Sequence, residues 1–124
     1  MDQSFVKKVS WEEVNDYLNK VVDLVRLKKH SGVYGIPRGG SVLAAWLSHK
    51  LYLPLQNSPD SRSIIVDDIC NRGDDLVTCL SEYEISGQKY FVTTMYKGKE
   101  VPEDLIHFAY REKGERWIAF PWEQ

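Results

Sequence analysis

Two adjacent carboxylates, Asp67 and Asp68, follow the uninterrupted apolar run at residues 64–66. Such a run is typical of a parallel strand that is covered on both faces. The carboxylates would then lie at the carboxyl end of the strand, where α/β sheets bind their ligands. Adjacent side chains on an extended backbone point opposite ways, so one carboxylate can face a ligand while the other faces the fold or a cation. Paired carboxylates suit sugar hydroxyls, which need acceptors, and Mg²⁺, which prefers hard oxygen ligands.

The segment GIPRGG, at residues 35–40, lies between a predicted strand and a predicted helix. Gly39 and Gly40 allow the backbone to approach a ligand closely. The helix that follows Pro37 would present free N–H groups to an anion, and Arg38 adds a permanent charge with donors suited to phosphate oxygens. Taken alone, the segment is equally compatible with an ordinary strand-to-helix turn that carries a surface arginine.

A polar turn follows the acidic pair and leads into another predicted helix. It consists of Asn71, Arg72, Gly73, Asp74 and Asp75. Backbone N–H groups at the start of a helix can hold a phosphate, so the whole segment IIVDDICNRGDDL predicts a strand and a turn that bind a sugar phosphate. In the alternative interpretation, the acidic pair merely begins a turn, and Asp74 or Asp75 caps the helix.

These segments lie within an alternation of helices and strands. Residues 11–26 carry apolar side chains at spacings of three and four, which predicts an amphipathic helix, and Ser10 with Glu13 predicts a capping box at its start. The other predicted elements are strands at 31–36, 52–55, 64–66, 89–95, 105–109 and 117–120, and helices at about 41–51 and at 74–86. This order predicts one α/β domain over residues 1–124, with a mainly parallel central sheet flanked by helices.

The composition narrows the class of protein. The chain has 16 basic and 18 acidic residues, so its charge gives no argument for binding nucleic acid or an anionic membrane. No stretch approaches the roughly 20 apolar residues of a membrane span, and the polar N-terminus resembles no secretory signal. Cys70 and Cys79 form no CxxC pair, and His30, His49 and His107 are scattered. We therefore expect a reducing, cytoplasmic setting and no zinc site.

Together the motifs resemble those of the type I phosphoribosyltransferases, and within that family most closely the bacterial xanthine-guanine enzymes. IIVDDICNRGDDL resembles the acidic signature and phosphate loop of the family, and PRGG resembles its pyrophosphate loop. VSWEEVNDYLNKV resembles the first helix, YFVTTMYKGK the strand that ends in a base-binding lysine, and WIAFPWE the C-terminal WIxxPW segment. The resemblance covers about residues 9–123 and implies a phosphoribosyltransferase-like fold with a short C-terminal hood segment.

The resemblance also implies a role for each matched residue. The pyrophosphate site would be Pro37, Arg38, Gly39 and Gly40; the ribose and metal site Asp67 and Asp68; the 5′-phosphate loop Asn71, Arg72, Gly73, Asp74 and Asp75; and the catalytic group Asp67, Asp68 and Asn71. Lys97 would contact a purine 6-oxo group, Trp117 would stack on the base, and the Ile118 backbone would meet the ring edge. Other interpretations are a solvated lysine at Lys97, and core packing or an oligomer interface at Trp117.

The implied reaction transfers a phosphoribosyl group from phosphoribosyl pyrophosphate to a 6-oxopurine (xanthine, guanine or hypoxanthine) in purine salvage. The implied cofactor is Mg²⁺, and the implied partners are these small molecules and a second copy in a homodimer, with no nucleic acid and no membrane. The alternative is a module of the same fold that binds a nucleotide, a phosphoribosyl compound or a protein partner without turnover.

Three features depart from the family pattern. Asn71 stands where purine enzymes usually carry an aspartate near the purine N7, and an amide cannot take up a proton at neutral pH. Arg72 and Asp75 replace the loop threonines, and Asp74 with Asp75 adds negative charge where a phosphate would bind. Only residues 56–63 separate two predicted strands, where the family has a long mobile loop that covers the reaction, so we expect poorer exclusion of water.

Overall fold

The computed structural model describes residues 6–85, 90–98, 101, 106–112 and 117–123. Its elements are β1 (Val6–Lys8), α1 (Trp11–Val25), β2 (Val33–Gly35), α2 (Gly39–Leu51), β3 (Ile64–Cys70), α3 (Asp74–Glu82), β4 (Phe91–Gly98), β5 (His107–Glu112), β6 (Trp117–Ala119) and a final 3₁₀ turn (Pro121–Glu123). Parallel strands form a central sheet in the order β2-β3-β4-β5, and β1 pairs in parallel with β6. The predicted α/β class with a mainly parallel sheet is confirmed.

The first helix begins where the sequence predicts because its capping box forms. The Glu13 N–H donates to the Ser10 hydroxyl at 3.1 Å, and the Ser10 N–H donates to the Glu13 carboxylate at 3.4 Å. The buried face of α1 consists of residues at helical spacing: Val14, Tyr17, Leu18, Val21, Val22 and Val25. Burial of this apolar face against α2 and the sheet stabilises the fold through the hydrophobic effect.

The third strand carries the alternation of side chains that positions the acidic pair. Residues 64–66 are fully buried, as predicted for a strand covered on both faces. Val66 packs with α1 and α2, whereas Ile65 packs on the opposite face of the sheet, against α3. Asp67 and Asp68 continue this alternation, so their side chains leave the strand toward different helices.

The predicted strand at residues 52–55 is wrong except for one bridge, in which Leu55 pairs with Val33. Tyr52 ends α2 in the left-handed conformation, with φ of 56°. Pro54 follows and has no N–H to donate, although its carbonyl accepts the Val33 N–H at 2.9 Å. The segment at residues 52–55 therefore pairs with β2 only at this bridge and does not form a strand.

Several boundaries differ from the prediction. The helix α2 begins at Gly39 and thus includes both glycines of PRGG, whereas α3 ends at Glu82 because Glu84 adopts a positive φ of 53°. The strands β4 and β5 continue beyond the predicted ends because their ladders extend to Gly98 and Glu112. The predicted residues 86–89 and 105 lie outside the described ranges. No helix among the described residues is long and apolar enough to cross a membrane.

Candidate active site

The glycines of PRGG are required by close packing against the end of β3. A β-carbon on Gly40 would overlap the carbonyl oxygen of Val66, and a β-carbon on Gly39 would overlap the carboxylate of Asp68. The sequence predicted a close approach of the backbone to a ligand at these positions. In the structure the close approach is to the neighbouring strand, and it fixes the loop beside Asp68.

Arg38 precedes α2, and its side chain makes no capping bond to that helix. The peptide bond between Pro37 and Arg38 is cis. The Gly40 N–H donates to the Ile36 carbonyl at 3.0 Å, and the Ser41 N–H donates to the Arg38 carbonyl at 3.1 Å. These two N–H groups are therefore engaged inside the turn, contrary to the expectation that the helix start presents them to an anion. The exposed guanidinium of Arg38 is the main group here for an anionic ligand.

The two carboxylates of the acidic pair have different surroundings. The Asp68 carboxylate lies against Gly39 and accepts the Ile69 N–H at 2.7 Å. The Asp67 carboxylate accepts the Asp68 N–H at 2.8 Å. Burial raises the pKa of Asp67 to about 8, with further contributions from the neighbouring Asp68 and from Asp75. Asp67 is therefore largely protonated near neutral pH in the free protein, and in that form it can donate a hydrogen bond.

The turn at residues 71–75 leaves the start of α3 without a side-chain cap. Gly73 is the N-cap residue, with φ of 90°, and no side chain accepts a hydrogen bond there. The alternative in which Asp74 or Asp75 caps the helix is therefore wrong. The Arg72 Nε lies 3.8 Å from the Asp74 carboxylate, and both side chains are mostly exposed, so this ion pair is weak. No carboxylate side chain therefore occupies the backbone N–H groups in the first turn of α3, and these groups can bind an anion.

The same turn is held in place by the end of β4. A β-carbon on Gly98 would overlap the carbonyl oxygen of Asn71, so the turn rests directly on the strand. The Asn71 side chain is exposed at the cleft. Burial raises the pKa of the Cys70 thiol, so Cys70 is a neutral residue of the cleft wall. Gly98 was missed by the sequence analysis, although a glycine after a strand-ending lysine is the signal that could have indicated it.

These segments enclose one cleft of about 350 Å³ at the carboxyl edge of the sheet. Its lining residues are Pro37, Arg38, Gly39, Asp67, Asp68, Ile69, Cys70, Asn71, Arg72, Gly73, Asp74, Asp75 and Leu76. The structure thus brings together the predicted pyrophosphate loop, acidic pair and phosphate loop, with Gly40 buried beside them. Four carboxylates and two guanidinium groups line the cleft. Within the described ranges, no group of three or more side chains could hold a metal ion by itself.

The residues predicted to bind a base lie outside the lining of this cleft. Lys97 is buried, and its ammonium group donates to the carbonyl oxygens of Gly98 and Val101. An ammonium group has three N–H donors, and two of them make these bonds to described residues. Trp117 is 61% exposed, whereas Ile118 is buried on the strand β6. Lys97 also pairs with Cys70 in the β3–β4 ladder, which places it at the same edge of the sheet as the cleft.

Comparison with known proteins identifies the fold. No protein-family model matches the sequence, and no curated protein matches it at a significant level. A purine phosphoribosyltransferase from Pyrococcus horikoshii OT3 superposes with a TM-score of 0.78 at 23% identity, covering 96% of this chain and 95% of that one. The xanthine-guanine-hypoxanthine phosphoribosyltransferase of Helicobacter pylori gives 0.73 at 18% identity, covering 95% and 93%. A hypothetical protein from Neisseria gonorrhoeae with bound ppGpp gives 0.70 at 14% identity, covering 95% and 90%. The chain has the fold of the phosphoribosyltransferases.

Proposed function

We propose that the protein transfers a phosphoribosyl group from phosphoribosyl pyrophosphate to a 6-oxopurine, in purine salvage. The observation that carries this proposal is the convergence of PRGG, the acidic pair and the uncapped start of α3 on one cleft. A donor with two anionic ends joined by a sugar needs such an arrangement. The names of the neighbours from Pyrococcus horikoshii and Helicobacter pylori support a purine as acceptor.

Each anionic end of the donor has a matching group. Arg38 and the backbone of Gly39 would hold the pyrophosphate, since a guanidinium group pairs with phosphate oxygens through parallel hydrogen bonds. The 5′-phosphate would bind at the N-terminus of α3, where Gly73 allows the turn and the helix dipole favours negative charge. Arg72 would add a second cation once the phosphate displaces its weak contact with Asp74.

Asp67 and Asp68 would hold the ribose hydroxyls and, with the donor bound, Mg²⁺. Their hard oxygen atoms fit this ion, and the lack of a third side-chain ligand in the described part of the chain fits it as well. Magnesium usually takes one or two carboxylates and completes its coordination with substrate phosphates and water. Bound there, Mg²⁺ would neutralise charge on the departing pyrophosphate.

The base would lie beyond the acidic pair, toward Lys97 and the β1–β6 pair. The third N–H of Lys97 would donate to the 6-oxo group, and Trp117 offers an exposed aromatic face for stacking. Asn71 would hydrogen-bond the base without taking up its proton. Catalysis would therefore depend on positioning and charge stabilisation around an oxocarbenium-like transition state, with the proton of the base passing to water.

The test is a direct assay of turnover. The protein is mixed with Mg²⁺, phosphoribosyl pyrophosphate and guanine, xanthine or hypoxanthine, and nucleotide formation is followed by ultraviolet absorbance and chromatography. We expect a nucleoside monophosphate product that the double change Asp67→Asn with Asp68→Asn abolishes. Asp23→Asn is the matched control, because Asp23 is an exposed carboxylate on α1. Absence of product with all three bases would overturn the proposal.

A second candidate is a nucleotide-binding module without turnover. It is favoured by the Neisseria gonorrhoeae structure, which contains ppGpp, and by Asn71 and Asp75 in the phosphate loop. Isothermal titration of the protein with ppGpp distinguishes the two. Binding of ppGpp combined with no nucleotide product would favour the module, whereas product formation with weak ppGpp binding would favour the enzyme. Size-exclusion chromatography with light scattering would test the proposed homodimer in the same samples.

A further inference from the structure

The loop at residues 56–63 lies at the amino edge of the sheet, opposite the cleft. Its first residue, Gln56, donates its N–H to the carbonyl of Val33, the first residue of β2, at 2.8 Å. Its last residue, Ser63, accepts the N–H of Phe91, the first residue of β4, at 2.9 Å. Parallel strands place their first residues on one edge, so both ends of the loop are anchored there.

The middle of the loop is also fixed to this edge, around the carboxylate of Asp60. That carboxylate accepts hydrogen bonds from the Ser31 hydroxyl at 2.5 Å, the Arg62 N–H at 2.9 Å and the Gln56 amide at 3.2 Å. The Ser63 hydroxyl in turn accepts the Asp60 N–H at 2.8 Å and donates to the Gln56 side chain at 2.6 Å. The hydrogen bond from Ser31 is the main cause of the lowered pKa of Asp60. The loop is therefore a turn closed around the carboxylate of Asp60.

The distance from this turn to the cleft is too great for the turn to cover a ligand. Ile64, directly after the loop, is four residues before Asp68, which corresponds to about 13 Å along an extended strand. The cleft rim instead consists of exposed side chains, namely Arg38, Asn71, Arg72, Asp74 and Asp75. The loop at residues 56–63 thus contributes nothing that would exclude water from a donor in the cleft.

We propose that water is a second acceptor at this site, so that the protein also hydrolyses phosphoribosyl pyrophosphate when no base is bound. This inference rests on the proposed function. The bond between C1 of the ribose and the pyrophosphate oxygen breaks, and its electron pair leaves with pyrophosphate. A water oxygen forms a bond to C1 and releases one proton to solvent, which gives ribose 5-phosphate and pyrophosphate. Enzymes that transfer groups normally prevent this reaction by closing over the site.

The test measures pyrophosphate release with Mg²⁺ and phosphoribosyl pyrophosphate, with and without xanthine, guanine or hypoxanthine. We expect release without a base at no less than about one tenth of the rate with the best base, because the loop at residues 56–63 does not reach the cleft to exclude water. A lower rate without base would overturn the inference while leaving the proposed transferase intact. Nucleotide absent in every mixture would instead mean that the proposed function itself fails.

Two controls make the result specific. The double change Asp67→Asn with Asp68→Asn should abolish release with and without base, whereas Asp23→Asn should change neither. The reaction is then repeated in ¹⁸O-labelled water. Pyrophosphate without label would support attack at C1, and the pyrophosphate is the product to examine because the anomeric oxygen of ribose 5-phosphate exchanges with water. Label in pyrophosphate would show cleavage at phosphorus and would contradict the inference.

Discussion

The carboxylate of Asp68 occupies the volume that a β-carbon on Gly39 would need. Gly39 begins α2, after the turn that follows β2, whereas Asp68 lies near the end of β3. Their contact joins the proposed pyrophosphate loop to the proposed ribose site. A shift of the loop toward β3 would therefore displace the Asp68 carboxylate. A side chain at position 39 has to displace either the loop or the carboxylate.

The substitution Gly39→Ala tests this coupling. The added methyl group would push the Asp68 carboxylate away from the cleft, and a displacement of about 1 Å at a reacting group costs on the order of 10²-fold in rate. We expect kcat/KM for phosphoribosyl pyrophosphate to fall by about that factor in the nucleotide-forming assay. Ser41→Ala is the matched control, because Ser41 is exposed in the first turn of the same helix. Equal activity of Gly39→Ala and wild type would contradict the coupling.

The raised pKa of Asp67 predicts a pH dependence of stability. Asp67 keeps its proton to about pH 8 in the folded protein, against an ordinary value of 3.8 in the unfolded chain. Across this window the folded state binds more protons, so the free energy of unfolding falls as the pH rises. Asp67→Asn cannot lose a proton, and we expect it to remove this decline. Thermal unfolding of both proteins at several pH values between about 5 and about 9 measures the effect.

We expect the melting temperature of Asp67→Asn to exceed that of wild type. The difference should grow as the pH approaches the upper end of the range. Asp23→Asn should follow the wild-type curve, since the side chain of Asp23 is 76% exposed. Parallel curves for wild type and Asp67→Asn would mean that Asp67 does not hold its proton in the folded state.

A buried polar chain links α1 to β4 and β5. The Tyr17 hydroxyl is 2.7 Å from the Thr93 hydroxyl, which is 2.9 Å from His107 Nδ1. Tyr17→Phe leaves Thr93 bonded to His107 and should lower the free energy of unfolding by about 1 kcal/mol. Thr93→Val leaves the buried Tyr17 hydroxyl without a partner and should cost about 2–3 kcal/mol. Urea denaturation measures both, with Tyr52→Phe as an exposed control. The reverse order would contradict this account.

The sequence predicted those parts of the fold that depend on neighbouring residues. The capping box of Ser10 and Glu13 and the apolar spacing of α1 are local signals, and they placed the helix to within one residue. The apolar run at 64–66 likewise indicated a covered strand, and this put Asp67 at the correct edge. The glycines of PRGG were predicted to let the backbone approach a ligand closely; in the structure they approach the end of β3.

The features that the sequence did not reveal depend on residues far apart in the chain. The fixed turn at 56–63 needs Ser31 and Val33, and nothing in the loop itself indicates which edge of the sheet it occupies. The chain from Tyr17 to His107 spans 90 residues, and scattered histidines give no signal of such a contact. The burial of Lys97 also depends on tertiary contacts. The local sequence gives no signal of it, since lysine side chains are mostly exposed.

Lys97 is the residue for which a structural and a functional role can be separated by one substitution. Lys97→Met keeps the length of the side chain but removes two hydrogen bonds from a charged donor, to Gly98 and Val101, and the ammonium group 5.3 Å from the Phe108 ring centroid. We expect the free energy of unfolding to fall by about 2–3 kcal/mol, since bonds to charged groups are worth more than neutral ones. Lys29→Met, at an exposed lysine, should leave stability unchanged.

A role in base recognition adds a second readout, measured where Lys97→Met is still folded. The third N–H of Lys97 would donate to the 6-oxo group, so its loss should raise KM for a 6-oxopurine by about tenfold while KM for phosphoribosyl pyrophosphate changes little. Loss of stability with both KM values unchanged would assign Lys97 to the fold alone. A rise in both KM values together would instead indicate that the bonds from Lys97 to Gly98 and Val101 support the whole cleft, because Gly98 also lies against the backbone of Asn71.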